Sequence, residues 1–414
     1  MEIMAHPGEE WRECPHCGLL CQLPPRYPGL VADCPRCGEV LWRMRRHRRS
    51  LPLAYALAAL LFYIFALAAP FLEIETFGRF ALARLETGPA QMSAQGFGLA
   101  GALVFTVTLV APAVKLGILI TILGGMRILP PGILKPLYRW YRALAPWAML
   151  DVYLLGFLVA YTRLTLMVSV HLDTALFALI GCMLCMAAAD GSVDTEQIWR
   201  TLDTRTAMSK LSYGGVRMGC HACGFVNMAQ PGASCLRCGA PLHQRKRESL
   251  SRAWALLLAS LALYVPANIY PFMVITKLTR TTPYTIIGGI IELAQHGLWP
   301  LALLVFFASI TIPLFKILAL AYMLVTVHIG STAHLQVRTS TYRVIDFIGR
   351  WSMIDVFMVS ILVALMRFDQ LANVHADTGA VCFGAVVVLT IFAVQAFDPR
   401  LMWDAERPPM SSET

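Results

Sequence analysis

Two lysines stand inside the most apolar stretches of this chain. Lys115 closes Leu109-Val110-Ala111-Pro112-Ala113-Val114-Lys115, and Lys316 closes Ile310-Thr311-Ile312-Pro313-Leu314-Phe315-Lys316. An ammonium group in hydrocarbon is costly, so each lysine needs a polar partner and points to a purpose. The two stretches share Pro-x-x-Lys and lie 201 residues apart. Each is followed by an apolar run with one aspartate: Trp147-Ala148-Met149-Leu150-Asp151-Val152-Tyr153 and Trp351-Ser352-Met353-Ile354-Asp355-Val356-Phe357, 204 residues apart. At that second offset Arg163, His171, Asp173 and Thr174 match Arg367, His375, Asp377 and Thr378. The chain reads as a tandem duplication, each copy built around a lysine and an aspartate held within a membrane.

A mean hydropathy of +0.61 with only 14% charged residues excludes an ordinary soluble domain, which carries about 25% charge. Apolar runs of spanning length recur. Eight spans are expected, near 51–71, 98–123, 144–162, 175–189, 253–272, 299–327, 351–366 and 379–397. The net charge of +9 is no signal for nucleic acid, because the basic residues crowd beside the apolar runs. Arg43, Arg45, Arg46, Arg48 and Arg49 precede the first span; Arg127, Lys135, Arg139 and Arg142 follow the second. Arg245, Lys246 and Arg247 precede the fifth, and Arg338, Arg343 and Arg350 follow the sixth. By the positive-inside rule these segments and both termini are cytoplasmic. The first 50 residues contain no apolar h-region of a signal peptide. Four spans per copy give both copies one orientation, so the repeats are parallel.

Eight of the twelve cysteines form four Cys-x-x-Cys pairs. Cys14 and Cys17 pair with Cys34 and Cys37; Cys220 and Cys223 pair with Cys235 and Cys238. A glycine after each pair permits a tight knuckle turn, and two knuckles complete a tetrahedral four-sulfur site. This is the zinc-ribbon pattern, so two zinc ions are expected, with iron open on the same ligands. Four sulfurs leave no open coordination position, which points to a structural metal. The domains are then 1–50, a ribbon and basic stop; 51–189, the first transmembrane module; 190–247, the second ribbon; 248–400, the second module; and 401–414, a polar tail.

Ser309, Ile312, Pro313 and Lys316 share one helix face. Lys316 and Asp355 both lie in the cytoplasmic half of the bilayer, about 18 Å and about 7 Å deep, within reach of an ion pair that spares either charge. Thr390 lies at a similar depth. Ser309, Lys316, Asp355 and Thr390 therefore form the candidate polar cluster. The first copy offers Thr108, Lys115 and Asp151, with Met186 where Thr390 would stand, so the second copy is the better candidate for activity. A register-fixing ion pair is the plainer alternative. The repeated His-x-Asp-Thr reads as a helix N-cap.

The paired knuckles before each block, Pro-x-x-Lys in its second helix and Trp-x-Met-[Leu/Ile]-Asp-Val-[Tyr/Phe] in its third together resemble the paraquat-inducible protein A family over nearly the whole chain. The resemblance implies an all-α polytopic membrane protein of two tandem four-helix transmembrane modules. These would be tetraspanin- or claudin-like, each preceded by a cytoplasmic zinc ribbon and carrying a periplasmic β-rich loop. It implies a bacterial inner-membrane subunit of an intermembrane lipid transport system. Such a subunit would load or receive phospholipid or a related lipid at a periplasm-spanning tunnel partner with mammalian-cell-entry (MCE) domains, through the polar cluster of the C-terminal module. No Walker motif is present and no enzyme activity is expected. The alternative is a non-transporting membrane scaffold that anchors the tunnel partner and docks a cytoplasmic protein.

Overall fold

A computed structural model of the chain describes residues 11–23, 31–43, 50–76, 79–126, 128–165, 169–203, 216–277, 280–365, 367–368 and 372–406. Arg45, Arg46, Arg48, Arg49, Arg127, Asp369 and residues 407–414 of the tail lie outside the described residues.

The first ribbon is two short antiparallel hairpins, β1 (Trp11–Glu13) with β2 (Leu20–Gln22) and β3 (Val31–Asp33) with β4 (Val40–Arg43). The first module runs α1 (Ser50–Ala68), β5 (Leu72–Thr76), β6 (Arg79–Ala83), α2 (Thr87–Ala94), α3 (Gly98–Phe105), α4 (Ala111–Gly125), α5 (Pro131–Leu144), α6 (Leu150–Leu164), β7 (Ser169–Leu172) and α7 (Thr174–Ser192). A short α8 (Thr195–Leu202) leads to the second ribbon, β8 (Val216–Gly219) and β9 (Val226–Ala229). The second module repeats the order: α9 (Ser249–Ile269), β10 (Met273–Lys277), β11 (Arg280–Tyr284), α10 (Ile286–Gln295), α11 (Trp299–Phe306), α12 (Ile312–His328), α13 (Leu335–Ile348), α14 (Ile354–Leu365), β12 (Arg367–Phe368), β13 (Ala372–Ala376) and α15 (Thr378–Ala396). A last turn, α16, covers Leu401–Asp404.

Among the described residues, seven helical stretches are long and apolar enough to cross a membrane: 50–68, 98–125, 131–162, 174–192, 249–269, 299–328 and 378–404. The eighth expected span, near 351–366, is represented by α14, which has 12 residues. At 1.5 Å per residue that is about 18 Å, short of a bilayer core by itself. A tight 3₁₀ turn, Gly349–Met353, takes up the residues before it. The chain is a mostly helical, multi-pass membrane protein carrying two cysteine clusters.

Each module keeps a small antiparallel sheet at the end opposite the ribbons, in the order β6-β5-β7 in the first and β11-β10-β13-β12 in the second. The alternation in Leu72-Glu73-Ile74-Glu75-Thr76 suits the strand β5, in line with the β-rich loop the resemblance implies. The His-x-Asp-Thr repeat ends in caps: the amide of Thr174 donates to Asp173 at 2.6 Å and that of Thr378 to Asp377 at 2.7 Å. These start α7 and α15, which pack along α1 and α9.

The prolines of the lysine helices leave a matching distortion. Thr106–Val110 and Phe307–Thr311 form wide π-type turns just before Pro112 and Pro313. Proline has no amide hydrogen and its ring clashes with the carbonyl four residues back, here that of Thr108 or Ser309. Widening the turn relieves that clash. In both copies a tyrosine from the module's first helix bonds a carbonyl of the widened turn. Tyr63 donates to Leu109 O at 2.6 Å and Tyr264 to Ile310 O at 3.4 Å.

The modules meet through their third helices, α6 and α14. Tyr153 and Phe357, at duplicated positions, touch edge to face at 5.6 Å, as an axis relating parallel repeats requires. The join is not symmetric, because α14 also packs on α2, α3 and β6 of the first module. Gly88 makes room for this: a Cβ there would lie 2.6 Å from Ser360 Oγ and 2.8 Å from Ser360 O.

Candidate functional site: two buried lysines and an inter-module cavity

Lys316 is 1% exposed. Its Nζ donates to Thr390 Oγ1 at 2.8 Å, and Thr390 Oγ1 donates onward to Val387 O at 2.9 Å. Ser309 is fully buried in the widened turn, and its hydroxyl has no hydrogen-bond partner among the described residues. That turn packs against α14 and the 3₁₀ turn before it. Asp355 is buried in the first turn of α14, where the helix dipole favours a carboxylate. Lys316 and Asp355 form no ion pair with each other among the described residues; the lysine turns to threonine instead. Of the four proposed cluster members, Lys316 and Thr390 are brought into contact.

Two further hydroxyls, Ser352 and Ser360, are buried and unpartnered among the described residues. Their counterparts in the first copy are Ala148 and Gly156. Buried polar groups without partners are costly and uncommon. The second module therefore concentrates polar groups that the first replaces with Ala148, Gly156 and Met186. The clue lay in these pairs of unlike residues across the repeat.

The first module satisfies its lysine differently. Lys115 is 4% exposed and its Nζ lies 2.5 Å from Asp190 Oδ2. Tyr141 donates to the other carboxylate oxygen, Asp190 Oδ1, at 2.6 Å. Thr108 bonds its own helix, at Val104 O. Asp151, the acid expected beside Lys115, is exposed and makes no ion pair with it among the described residues. Asp190 was legible only indirectly: it stands one helical turn after Met186 and so shares its face.

Both sites reach one cavity of about 1080 Å³ at the ribbon end of the molecule. The first module contributes α5 and the end of α7 to its wall, including Arg142 and Asp190; the second contributes α12, α13 and α15, including Lys316 and Arg343. His16 and Glu39 of the first ribbon complete it. Apolar Met149, Ile391 and Val394 lie between the charges. The charged lining is mixed, with Arg142, Lys316 and Arg343 set against Glu39, Asp190 and Asp346.

The cysteines form two compact clusters. In each, four sulfurs lie within 4.8 Å of one another. Cys14 and Cys37, and Cys17 and Cys34, are 3.5 Å apart; Cys220 and Cys238, and Cys223 and Cys235, are 3.6 Å apart. Disulfide sulfurs would lie at about 2.05 Å. Ligands at about 2.3 Å from one tetrahedral ion would lie about 3.8 Å apart, so the clusters fit a metal. Gly18, Gly38, Gly224 and Gly239 take φ from 69° to 74°, the left-handed turn that aims each amide back at the first cysteine carbonyl. Hydrogen bonds among the sulfurs lower the Cys14 and Cys235 thiols and raise those of Cys17 and Cys223, so the protons are shared unequally within each cluster.

The ribbons are exchanged between modules. The first docks on the second module. Arg343 donates to Cys37 O at 2.7 Å and ion-pairs with Glu39 at 2.9 Å, Arg400 ion-pairs with Glu13 at 2.7 Å, and Arg36 pairs with Glu406 and stacks over Trp403. Burial pushes the Glu39 carboxyl up, but His16 and Arg343 more than offset this and hold it below the ordinary carboxylate value. The second ribbon meets the first module at α5, where Arg142 donates to Ala222 O at 2.7 Å, and holds the connecting α8 through Arg237 and Glu196 at 2.5 Å. The ribbons touch where the Gly219 amide donates to Glu13 Oε2 at 2.5 Å.

A duplicated membrane module with a buried lysine in each copy, topped by paired four-sulfur ribbons, defines a class of multi-pass protein. Within that class the chain belongs to the paraquat-inducible protein A family, whose sequence model matches it twice, over residues 50–203 and 250–406. It is 32% identical to lipophilic envelope-spanning tunnel protein A of Escherichia coli (strain K12) over 401 residues, 96% of this chain and 92% of that protein. Intermembrane transport protein PqiA of the same organism is 32% identical over 400 residues, 95% of each chain. A probable intermembrane transport protein of Haemophilus influenzae is 27% identical over 384 residues, 90% of each. No solved structure matches the chain.

Proposed function

We propose that the chain is the inner-membrane subunit of an intermembrane lipid transport system and moves lipid through the inter-module cavity. The observation that carries this reading is Lys316, buried against Thr390 yet on the wall of a cavity of about 1080 Å³. That volume is at the upper end of ligand pockets, which span about 300–1,000 Å³. The cavity lining mixes apolar side chains with charges of both signs, which suits an amphiphile with a zwitterionic or anionic head, and Lys316, partnered by a hydroxyl, is the cation placed to meet an anionic group. The relatives' names, intermembrane transport protein and envelope-spanning tunnel protein, support the same reading. On it the protein is not an enzyme, and its ribbons and both termini face the cytoplasm. Each cysteine cluster holds zinc. The eight helical stretches form two tetraspanin-like modules, and the two sheets face the periplasm, where a tunnel partner with MCE domains receives or delivers phospholipid. Ser309, Lys316, Thr390 and Asp355 are the working cluster, and protonation at Asp355 couples transfer to the proton gradient.

The test is transfer of labelled phospholipid from proteoliposomes to acceptor vesicles in the presence of the tunnel partner. Lys316→Ala, Thr390→Val and Asp355→Asn should each reduce the rate at least tenfold with expression and melting retained. Unchanged transfer in all three would assign the cluster to structure and favour the scaffold.

A further inference from the structure

We infer that the first ribbon is a metal-set wall of the inter-module cavity, closing it from the ribbon side on behalf of the module it does not precede. The inference rests on the reading of Cys14, Cys17, Cys34 and Cys37 as a metal site. His16 lies between two of these cysteines and Glu39 two residues beyond a third, and both line the cavity. The knuckles therefore set where these side chains stand. The ribbon also fixes Arg343, another wall residue, at two points: Nη2 donates to the Cys37 carbonyl and Nε ion-pairs with Glu39. The His16 ring meets that of Tyr342, next to Arg343 in sequence, edge to face at 5.9 Å.

The ribbon's hairpins have strands of only three or four residues. Hairpins this short do not hold themselves in water, and in such modules metal binding supplies the folding free energy. Glu13 anchors the ribbon's far side, to Arg400 and to the Gly219 amide. Loss of the metal would therefore release His16, Glu39 and Arg343 together and leave the cavity floor open. The covalently distant ribbon thus controls access to Lys316 of the second module, whereas the second ribbon contributes none of the described residues that form the wall.

The experiment uses the full chain reconstituted in lipid with Val394→Cys as a reporter on the buried cavity wall. Metal content is measured by mass spectrometry. Labelling of position 394 by a membrane-impermeant maleimide is followed by peptide mapping, which separates it from the native cysteines. The parent should hold two metal ions and label slowly. Cys14→Ser with Cys17→Ser should leave one ion and raise labelling about fivefold or more, as expected when a local element opens. Arg343→Ala should raise labelling similarly with both ions retained, which separates wall loss from misfolding. Cys220→Ser with Cys223→Ser should cost one ion and change labelling little. The inference is overturned if the first pair loses its ion while position 394 labels at the parent rate, or if both cysteine pairs open it equally. A parent that holds no metal would remove the metal reading alone; the Arg343→Ala rate would then decide the wall.

Discussion

Lys115 and Lys316 are related by duplication but hold different partners. Lys115 sits against a carboxylate, Asp190, that also takes the Tyr141 hydroxyl; Lys316 sits against a neutral hydroxyl. The first arrangement gives the ammonium a counter-charge, whereas the second gives it only a hydroxyl dipole. Asp190→Ala should therefore strand Lys115. Breaking a fully buried pair costs about 3–5 kcal/mol. The Asp190 side chain is 39% exposed, so solvent screening reduces the expected cost to about 1–2 kcal/mol. Thermal melting in detergent should show this, and Lys115→Met in the same chain should restore most of the loss. A double variant as unstable as the single one would mean that Asp190 acts through Tyr141 alone. At this scale the sequence disclosed the lysines, because an ammonium in an apolar run stands out. It concealed their partners, because repeat symmetry pointed to Asp151, whereas the acid that pairs with Lys115 has Val394 as its counterpart.

The widened turns before Pro112 and Pro313 set the direction in which each lysine emerges. One extra residue per turn rotates the rest of the helix by about 100° relative to an uninterrupted α-helix. Pro-x-x-Lys in the sequence already required that freed carbonyls be satisfied. The groups that satisfy them come from elsewhere: Tyr63 and Tyr264, on helices that carry no motif of their own. Tyr63→Phe leaves the Leu109 carbonyl in a buried turn without its donor, and should lower stability by about 1–3 kcal/mol. Tyr264→Phe should cost less, since its bond is 3.4 Å long. Equal melting shifts for the two would show that ring packing, not the hydrogen bond, sets the effect. The strand of the first module, its counterpart and the N-caps were legible because each depends on neighbours in sequence. The short α14 was not, because the 3₁₀ turn that shortens it forms against other helices.

The whole molecule is a pair of parallel repeats made unequal by α14 and cross-tied by exchanged ribbons. Composition and charge disclosed the membrane class and the repeat, and cysteine spacing disclosed the ribbons. Neither could disclose which module each ribbon covers, since that depends on contacts between segments hundreds of residues apart, such as Arg36 with Glu406. The leaning of α14 onto the first module depends in turn on a missing side chain. At Gly88 a Cβ would meet both the hydroxyl and the backbone carbonyl of Ser360. Gly88→Val should therefore push the modules apart, at a cost of about 1–3 kcal/mol for overpacking. The variant should melt lower and be cleaved faster between the modules in limited proteolysis. Ser360→Ala in the same chain removes the hydroxyl but not the carbonyl, so it should fail to rescue. Full rescue would show that the modules meet through a side-chain contact that can be rearranged. Failure would show that two backbones are held in direct approach, which ties the cavity's width at the ribbon end to how closely α14 sits against α2.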